Sequence, residues 1–231
     1  MIHTRTEGRR AAKLPSAGGP RLQLVRPQTT PPLQIPVFDQ SADVVEHGIG
    51  TLDAAAAVGV NPFKSQMRLW MEKTGREHLL QPTDVRDDEL THWSRLLDPI
   101  VAAHYTLRTA RRVRRINTIQ QHPQHPWMFA RITREVVDVP NVQLLEYICV
   151  GTRGVALWEK GLPNHVRINA LHQLAVTGLR AVDLAVLICG QELQVHRIER
   201  DEAEIAWLIQ AERAFWRGVE LDQAPAARDG D

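Results

Sequence analysis

The sequence predicts an α/β domain with a mixed central sheet that is flanked by helices. Helical patterns come first, three strand-like segments follow, and one helix then separates them from two further strands and a last helix. A helix between strands is typical of a crossover connection, which makes part of a sheet parallel. The 43% of hydrophobic residues supply enough apolar surface for a packed core.

The first predicted elements are two short helices. An alanine-rich helix covers residues 52–60 and stops at Asn61 and Pro62. Ser65 is placed to cap a second helix that ends at Gly75. A serine hydroxyl can accept a hydrogen bond from a backbone N–H at a helix start, and glycine readily ends a helix.

A long helical pattern follows over residues 87–109. Apolar side chains recur there at intervals of three and four residues, which predicts a buried stripe with Asp98 just beside it. Because Pro99 lacks a backbone N–H, we expect a break at Asp98 that divides the pattern into two helices. The predicted stripe consists of Leu90, Trp93, Leu96, Leu97, Ile100 and Val101.

Five short segments rich in β-branched residues predict strands. The sequence DVPN predicts a hairpin turn between the second and third segments, and CGQE joins the last two in another hairpin. The segments are residues 113–119, 128–137, 142–150, 182–188 and 193–198.

Two further helices complete the predicted domain. Asn164 is placed to cap a helix that ends at Gly178, between the third and fourth strands. Asp201 begins an amphipathic helix that continues through Trp216. Its apolar face consists of Ile205, Leu208, Ile209 and Phe215.

Charge is distributed unevenly along the chain, although the net charge is only +1. Residues 1–36 hold six Lys or Arg, one acidic residue and six of the 14 prolines, so we expect residues 1–40 to be a basic, proline-rich, flexible arm. The rest of the chain has 22 basic and 26 acidic residues and therefore no general basic field for nucleic acid. We expect a folded domain over residues 41–220 and a flexible tail over residues 221–231.

One local cluster of arginines departs from this balance. Arginine suits phosphate recognition because its planar fork matches phosphate oxygens. The cluster is therefore either a contact to the DNA backbone or a solvated strand edge. It consists of Arg108, Arg111, Arg112, Arg114 and Arg115.

Several classes of protein are excluded by composition. No apolar run approaches the roughly 18 residues that span a bilayer, and MIHTRTEGRRAAK lacks the apolar core of a secretory signal. We therefore expect a cytoplasmic protein that contacts no membrane. Cys149 and Cys189 occur without a CxxC motif, which supports neither a disulfide framework nor a zinc site, and we expect two buried, reduced thiols.

Seven segments, taken in order over about residues 46–217, resemble the YqaJ-like viral recombinase family, which is related to lambda exonuclease. Together they are far more specific than any one of them alone. The segments are GIGTLDAAAAVGVNPFKS, KTG, WSRLLDPIVAAHY, HPQHPWMFARITREVV, VQLLEYICVG, HQLAVTG and IERDEAEIAWLIQAERAFW.

The resemblance implies a PD-(D/E)xK fold, which is the restriction-endonuclease-like fold, over residues 41–220. It also implies Mg²⁺-dependent digestion of linear duplex DNA from the 5′ end, work beside a single-strand annealing protein in phage recombination, and a toroidal trimer. Such chemistry needs two or three carboxylates that hold divalent ions and a lysine that orients or activates the attacking water.

Several positions of the family's active site carry other residues in this chain. Asp98 in LLDP stands where the family has glutamate, and Glu146 keeps the acid of the Glu-x-Lys strand. Thr133 replaces the aspartate that is the principal metal ligand, and Ile148 replaces the lysine. The resemblance therefore implies a vestigial site at these four positions.

Other parts of the family's DNA site also differ. Leu52 stands at the serine that helps to hold the 5′-phosphate, and Glu46 lies near an expected upstream arginine. The Gln-Val-Gln of the late helix is replaced by Asn169, Ala170 and Leu171. Capture of a 5′-phosphate is not expected from this set.

Two carboxylates still leave room for weak metal binding through Asp98 and Glu146, with Glu135 as a migrated third ligand. The other interpretation is that Asp98 is a polar residue at a helix break and that Glu146 is paired with Arg131 or Arg134. We expect no cofactor, and Mg²⁺ or Mn²⁺ only if some nuclease activity remains. QHPQHP is interpreted as an extended turn and not as a metal site, and His172 as a structural residue.

The sequence therefore predicts a nuclease fold that has lost its catalytic residues and acts by binding. One hypothesis is a module that binds duplex DNA through the arginine cluster and Arg131. Another is a subunit or inhibitor of a phage recombination, CRISPR or other defence complex, with an annealing protein as one candidate partner. The third is an active 5′ to 3′ double-strand exonuclease with a rewired site.

Overall fold

The computed structural model describes residues 47–80 and 85–227, with the backbone alone for residues 85–92, 94 and 95. The predicted arm, residues 1–40, and the last four residues of the predicted tail lie outside this part of the chain. None of the described helices is long and apolar enough to cross a membrane.

The sheet has five strands in the order β1-β2-β3-β4-β5. Neighbouring strands are antiparallel except β3 and β4, which are parallel. The prediction of five strands in a mixed sheet is thus confirmed, to within two residues at each strand end. The strands are β1 (Arg112–Gln121), β2 (Phe129–Val137), β3 (Leu144–Val150), β4 (Ala181–Ile188) and β5 (Glu192–Glu199).

Six α-helices and a short 3-10 helix accompany the sheet in the described residues. α5 lies on one face of the sheet and contacts α1 and α6, whereas α3 packs against β3 and β4 on the other face. The helices are α1 (Ala54–Ala57), α2 (Gln66–Lys73), α3 (Val85–Thr109), α4 (Val155–Trp158), α5 (Asn164–Thr177) and α6 (Glu202–Glu220), with the 3-10 helix at Glu77–Leu79.

Most of the predicted helix ends are confirmed. The Ser65 hydroxyl accepts a hydrogen bond from the backbone N–H of Arg68 at 3.0 Å, and the Asp201 carboxylate caps α6 in the same way. Gly178 ends α5 in the left-handed conformation with φ of 69°. Asn164 is the first residue of α5 and not its cap, because the extended Pro163 precedes the helix.

The long helix differs from its prediction in two respects. It continues through Pro99, so the predicted break at Asp98 is wrong. Asp98 lies on the buried face with Val101 and Tyr105, whereas Leu96 and Ile100 of the predicted stripe are exposed. The reason is that Asp98 and Tyr105 find polar partners on the sheet, and these contacts select the face that turns inward.

A buried carboxylate in β4 joins three of these elements and the residue just before β1. Asp183 is fully buried and accepts hydrogen bonds from the Tyr105 hydroxyl at 2.7 Å, Arg111 Nη1 at 2.8 Å and Arg197 Nε at 2.8 Å. Burial and the hydrogen bond to Asp183 raise the pKa of Tyr105 to about 12, so the phenol stays protonated as a donor. Asp183 thereby connects α3, the start of β1 and β5 to β4.

The thiols differ from expectation at one position. Cys149 is half-buried, but Cys189 is exposed at the turn between β4 and β5. Its φ of 49° places it beside Gly190 in a left-handed turn, which directs the residue away from the core. The prediction of two buried thiols is therefore wrong for Cys189.

We predict that Asp183→Ala lowers the free energy of unfolding by about 3 kcal/mol, because the change leaves two arginines without the carboxylate that neutralises them. Urea titration followed by circular dichroism measures this. The control is Glu220→Ala, which removes the partly exposed pair with Arg213 and should cost less than about 1 kcal/mol. Equal losses in the two variants would contradict a special role for Asp183.

Candidate functional site

The candidate site lies where β2 and β3 meet. The paired positions of these strands are Arg134 with Leu145 and Glu135 with Leu144. Next to them, the Glu146 carboxylate accepts a hydrogen bond from the backbone N–H of Thr133 and another from Gln173 Nε2 at 2.7 Å. The Glu146 side chain thus accepts a hydrogen bond from a backbone N–H of β2 that would otherwise have no acceptor at this point of the sheet.

Gln173 is a site residue that the sequence reasoning missed. Its Nε2 also donates to the carbonyl oxygen of Arg131 at 3.0 Å, so this amide bridges β2 and Glu146 from α5. The side chain is fully buried, and its Oε1 has no partner within the described structure. The signal that could have identified it is its place in HQLAVTG, one of the segments that carried the family resemblance.

The environment of Glu146 favours the protonated form of its carboxyl group. Burial raises the pKa of its carboxyl group to about 7, and the nearby Asp98 carboxylate adds to this effect. The hydrogen bonds from Gln173 and Thr133 act in the opposite direction but are weaker. Glu146 is therefore a partly protonated acid at neutral pH while no cation lies beside it.

Asp98 and Arg134 form a bidentate ion pair. Arg134 Nε donates to Asp98 Oδ1 at 2.8 Å and its Nη2 donates to Oδ2 at 2.6 Å, and both side chains are buried. The expected pairing of Glu146 with Arg131 or Arg134 is wrong, because Arg134 is held by Asp98 and Arg131 is exposed. Glu146 is instead satisfied by neutral donors.

The remaining predicted site residues do not converge on a ligand. Thr133 is half-buried, and its hydroxyl has no hydrogen-bond partner in the described part of the chain. Ile148 packs against the main apolar core. Glu135 is buried and paired with Arg114, its neighbour across β1 and β2.

These residues do not fit a divalent metal ion. Such an ion needs carboxylate oxygens that are available to coordinate it. Asp98 and Glu135 are each held by an arginine, and the Glu146 carboxylate is held by Gln173 and the backbone N–H of Thr133. Among the described residues, no group of three or more His, Cys, Asp or Glu is placed to hold a metal ion.

The loop between β1 and β2 is a turn, as predicted from QHPQHP. His122 Nδ1 accepts hydrogen bonds from the backbone N–H groups of Gln124 at 3.0 Å and His125 at 3.1 Å. Burial and the neighbouring His125 lower the pKa of His122 to about 4, so its ring is neutral at physiological pH. The lone pair that could bind a metal therefore holds the turn together.

His172 is structural, as expected. It is fully buried, with Nδ1 2.8 Å from Glu212 Oε1 and Nε2 3.0 Å from the carbonyl oxygen of Phe129. Burial alone would lower its pKa, but the carboxylate of Glu212 and the two hydrogen bonds raise it. This pair attaches α6 and β2 to α5.

The GIGTLD turn packs closely against the start of β2, but its residue 52 has no hydroxyl group that could bind a phosphate. Ile49 bridges to Met128, and a side chain at Gly48 would meet the Phe129 ring at 2.5 Å. Leu52 is 77% exposed. The Asn169 amide oxygen accepts from the N–H of Ala55 at 3.1 Å and so joins α5 to α1.

Most of the predicted DNA-binding arginines have partners within the protein. Arg111 is paired with Asp183, Arg112 with Asp138, and Arg114 with Glu135. Arg108 donates to the carbonyl oxygen of Leu193. Arg115 and Arg131 are exposed and have no acidic partner among the residues that the structure describes.

Comparison with known proteins agrees with the resemblance in the sequence. A family model described as the YqaJ-like viral recombinase domain matches residues 42–180. The chain is 31% identical over 186 residues to the uncharacterized protein YqaJ of Bacillus subtilis (strain 168), across 79% of this chain and 56% of that protein. The chain thus spans little more than half the length of this relative.

Solved structures show the same fold. The structure is similar to an alkaline exonuclease, LHK-Exo, from Laribacter hongkongensis, with a TM-score of 0.63 and 20% identity over 78% of this chain and 92% of that one. A phage related exonuclease from Haemophilus somnus 129PT matches with a TM-score of 0.51 and 7% identity over 77% and 96% of the two chains. These similarities confirm the expected nuclease fold with a mixed central sheet and flanking helices.

The pKa of Glu146 predicts a pH-dependent effect on stability. Folding raises this pKa from 4.5 to about 7, so the folded protein binds the proton more tightly and loses stability as the pH rises through this range. Glu146→Gln is neutral at every pH and should raise the free energy of unfolding by about 2 kcal/mol at pH 8 and hardly at all at pH 4.5.

Urea titrations at the two pH values test this, with the exposed Glu192→Gln as the control that should behave alike at both. If a divalent ion bound at Glu146 and stabilised the folded protein, the order of stability of the two proteins at pH 8 would be reversed. In that case Mg²⁺ would make the natural chain more stable than Glu146→Gln at pH 8.

Proposed function

Because the chain belongs to the family of YqaJ-like viral recombinase domains, we propose that it is a nuclease-fold protein that binds duplex DNA without cleaving it. The observation that carries this proposal is that Thr133 and Ile148 stand where the family has its principal metal ligand and its lysine, and that Ile148 packs against the apolar core. Asp98, at another acidic position of the family, is held by Arg134 in a bidentate ion pair.

Loss of cleavage follows from the chemistry of phosphodiester hydrolysis. The reaction needs a positive charge at the phosphate and an activated water, and metal ions held by several carboxylates supply both in this class of enzyme. Here Glu146 is the carboxylate without a cationic partner in the site, and it is partly protonated at neutral pH. Ile148 cannot orient a water, because its side chain has no polar atom.

DNA binding is assigned to exposed arginines of β1 and β2. β1 is an outer strand of the sheet, and Arg112, Arg114 and Arg115 are exposed along it. Arg112 is paired with Asp138 in a partly exposed ion pair, which is weak and can be exchanged for a phosphate contact, whereas Arg114 is held by the buried Glu135. Arg115 and Arg131 are the strongest candidates for phosphate contacts. Arg108 is also exposed and lies nearby in sequence. Arg111 is paired with Asp183 and is therefore not assigned to DNA.

A protein partner is the second mode that we propose. The chain after its first 36 residues has 22 basic and 26 acidic residues, a balance that suits docking to a nucleoprotein complex as well as direct DNA binding. The complex would belong to phage recombination, with an annealing protein, or to CRISPR or another defence system. This proposal includes a cytoplasmic location, and a ring of three subunits is the assembly that the family resemblance implies.

An active 5′ to 3′ exonuclease with Mg²⁺ or Mn²⁺ is the alternative function. It is supported by the two similar solved structures, both of which are named as exonucleases. It would require Asp98 to leave Arg134 and join Glu146 at a metal ion.

Digestion of a linear, 5′-phosphorylated duplex with Mg²⁺ or Mn²⁺ separates these functions. We expect no degradation by the natural chain and regained degradation by the double variant Thr133→Asp, Ile148→Lys, which restores the acid and the amine. The matched control is Thr133→Asn, Ile148→Met, which has similar shapes without the charges. Digestion by the natural chain that Glu146→Gln abolishes would refute the loss of catalysis.

Salt titration of DNA affinity tests the binding surface. Each phosphate contact contributes about 0.9 to the slope of log affinity against log salt. Replacing both Arg115 and Arg131 with alanine should therefore reduce that slope by about 2. Arg180→Ala, at an exposed arginine between α5 and β4, is the control that should leave it unchanged. Identical slopes for all three proteins would contradict the assigned surface.

A further inference from the structure

A cavity of about 620 Å³ lies beside the loop between β1 and β2, where this loop meets the end of α6. Its walls combine two tryptophan rings with charged and amide side chains. Sites for small molecules commonly have volumes of about 300–1,000 Å³ and place a few polar groups among aromatic ones. The lining residues include Gln124, His125, Trp127, Arg213, Trp216 and Glu220.

The cavity is separate from the candidate site. Trp127 lies just before the start of β2, and Thr133 lies six residues further along the chain. At about 3.3 Å per residue, an extended strand covers roughly 20 Å over this interval. None of the residues that line the cavity belongs to the vestigial site or to the arginine cluster. A ligand in the cavity would therefore use contacts that the proposed function does not assign.

The loop that forms one wall is held in place by hydrogen bonds. The ring of His122 accepts hydrogen bonds from two backbone N–H groups of this loop, and Gln121 Nε2 donates to the carbonyl oxygen of Pro126 at 2.6 Å. Trp127 and Trp216 are only 7% and 9% exposed, so the core fixes both rings. A wall that is already formed loses little conformational entropy when it binds a ligand.

The stack of Arg213 on Trp127 is open. The guanidinium carbon of Arg213 lies 6.0 Å from the centre of the Trp127 ring, whereas that of Arg76 lies 4.6 Å from the centre of the Trp70 ring. Flat groups in contact are about 3.5 Å apart, so a flat ring between two others needs roughly 7 Å. Arg213 is exposed, and its ion pair with Glu220 is partly exposed and weak. A shift of about 1 Å in this side chain would thus admit a flat ring.

The polar groups beside this stack suit an uncharged heterocycle. Arg213 and Glu220 carry opposite charges, so together they favour neither an anion nor a cation. Arg213 donates hydrogen bonds, Glu220 accepts them, and the Gln124 amide does both. A nucleobase is flat and uncharged and has donors and acceptors along its edge. The flat faces of tryptophan and arginine also stack on bases of any sequence.

We propose that this cavity binds a nucleobase between the Arg213 guanidinium and the Trp127 ring. The base belongs to a free nucleoside or nucleotide, or to an unpaired stretch of nucleic acid, because these present the same flat surface and the same polar edge. A paired base inside a duplex has no free face for such a stack. Binding in the cavity therefore does not depend on the proposed binding of duplex DNA.

Titration of the full chain with adenosine, followed by NMR, tests the proposal. The indole N–H signal of Trp127, which Trp127→Phe identifies by its loss, should shift in a saturable way. The signal of Trp158, on α4, should stay in place. Arg213→Ala should weaken the binding by about fivefold or more, because it removes one side of the stack. The matched control is Arg217→Ala, an exposed arginine one turn later on α6, which should bind as the natural chain does.

Competition identifies the source of the base. Displacement of adenosine by a single-stranded oligothymidylate would assign the site to unpaired nucleic acid, whereas unchanged adenosine binding would assign it to a free nucleoside or nucleotide. The double variant Arg115→Ala, Arg131→Ala should still bind adenosine, even if it loses duplex DNA. The absence of a saturable shift up to about 5 mM adenosine would overturn the proposal. So would equal affinity in Arg213→Ala, because the stack would then not hold the base.

Discussion

The buried carboxylate of Asp183 is the interaction on which the arrangement of this protein depends. A carboxylate without water is stable only when donors surround it, and here Tyr105, Arg111 and Arg197 supply them from three different parts of the fold. These contacts determine the rotation of α3 against the sheet. Once Tyr105 is directed to β4, Asp98 two turns earlier is directed to β2.

The same requirement explains the candidate site. Asp98 meets Arg134, Glu135 meets Arg114, and Glu146 accepts an amide and a backbone N–H. Each acidic side chain that could hold a metal ion thus has its donors from the protein itself. The fold is similar to that of solved structures named as exonucleases, and in this chain the acidic side chains at the positions where the family resemblance implies an active site are all hydrogen-bonded within the protein.

The sequence by itself determined the five strands, the helix ends at Ser65, Asp201 and Gly178, and the family, because these depend on local patterns and on motifs in order. It also indicated that Thr133 and Ile148 depart from the family's active site. Only the tertiary structure decided which face of α3 is buried, that Asp98 pairs with Arg134, and that Gln173 holds Glu146. Periodicity ranks residues by hydrophobicity, and on that scale Ile100 should be buried and Asp98 exposed. The observed burial is the reverse, because a charged side chain is buried only where a partner neutralises it. For Asp98 that partner is Arg134, which lies 36 residues away in the chain.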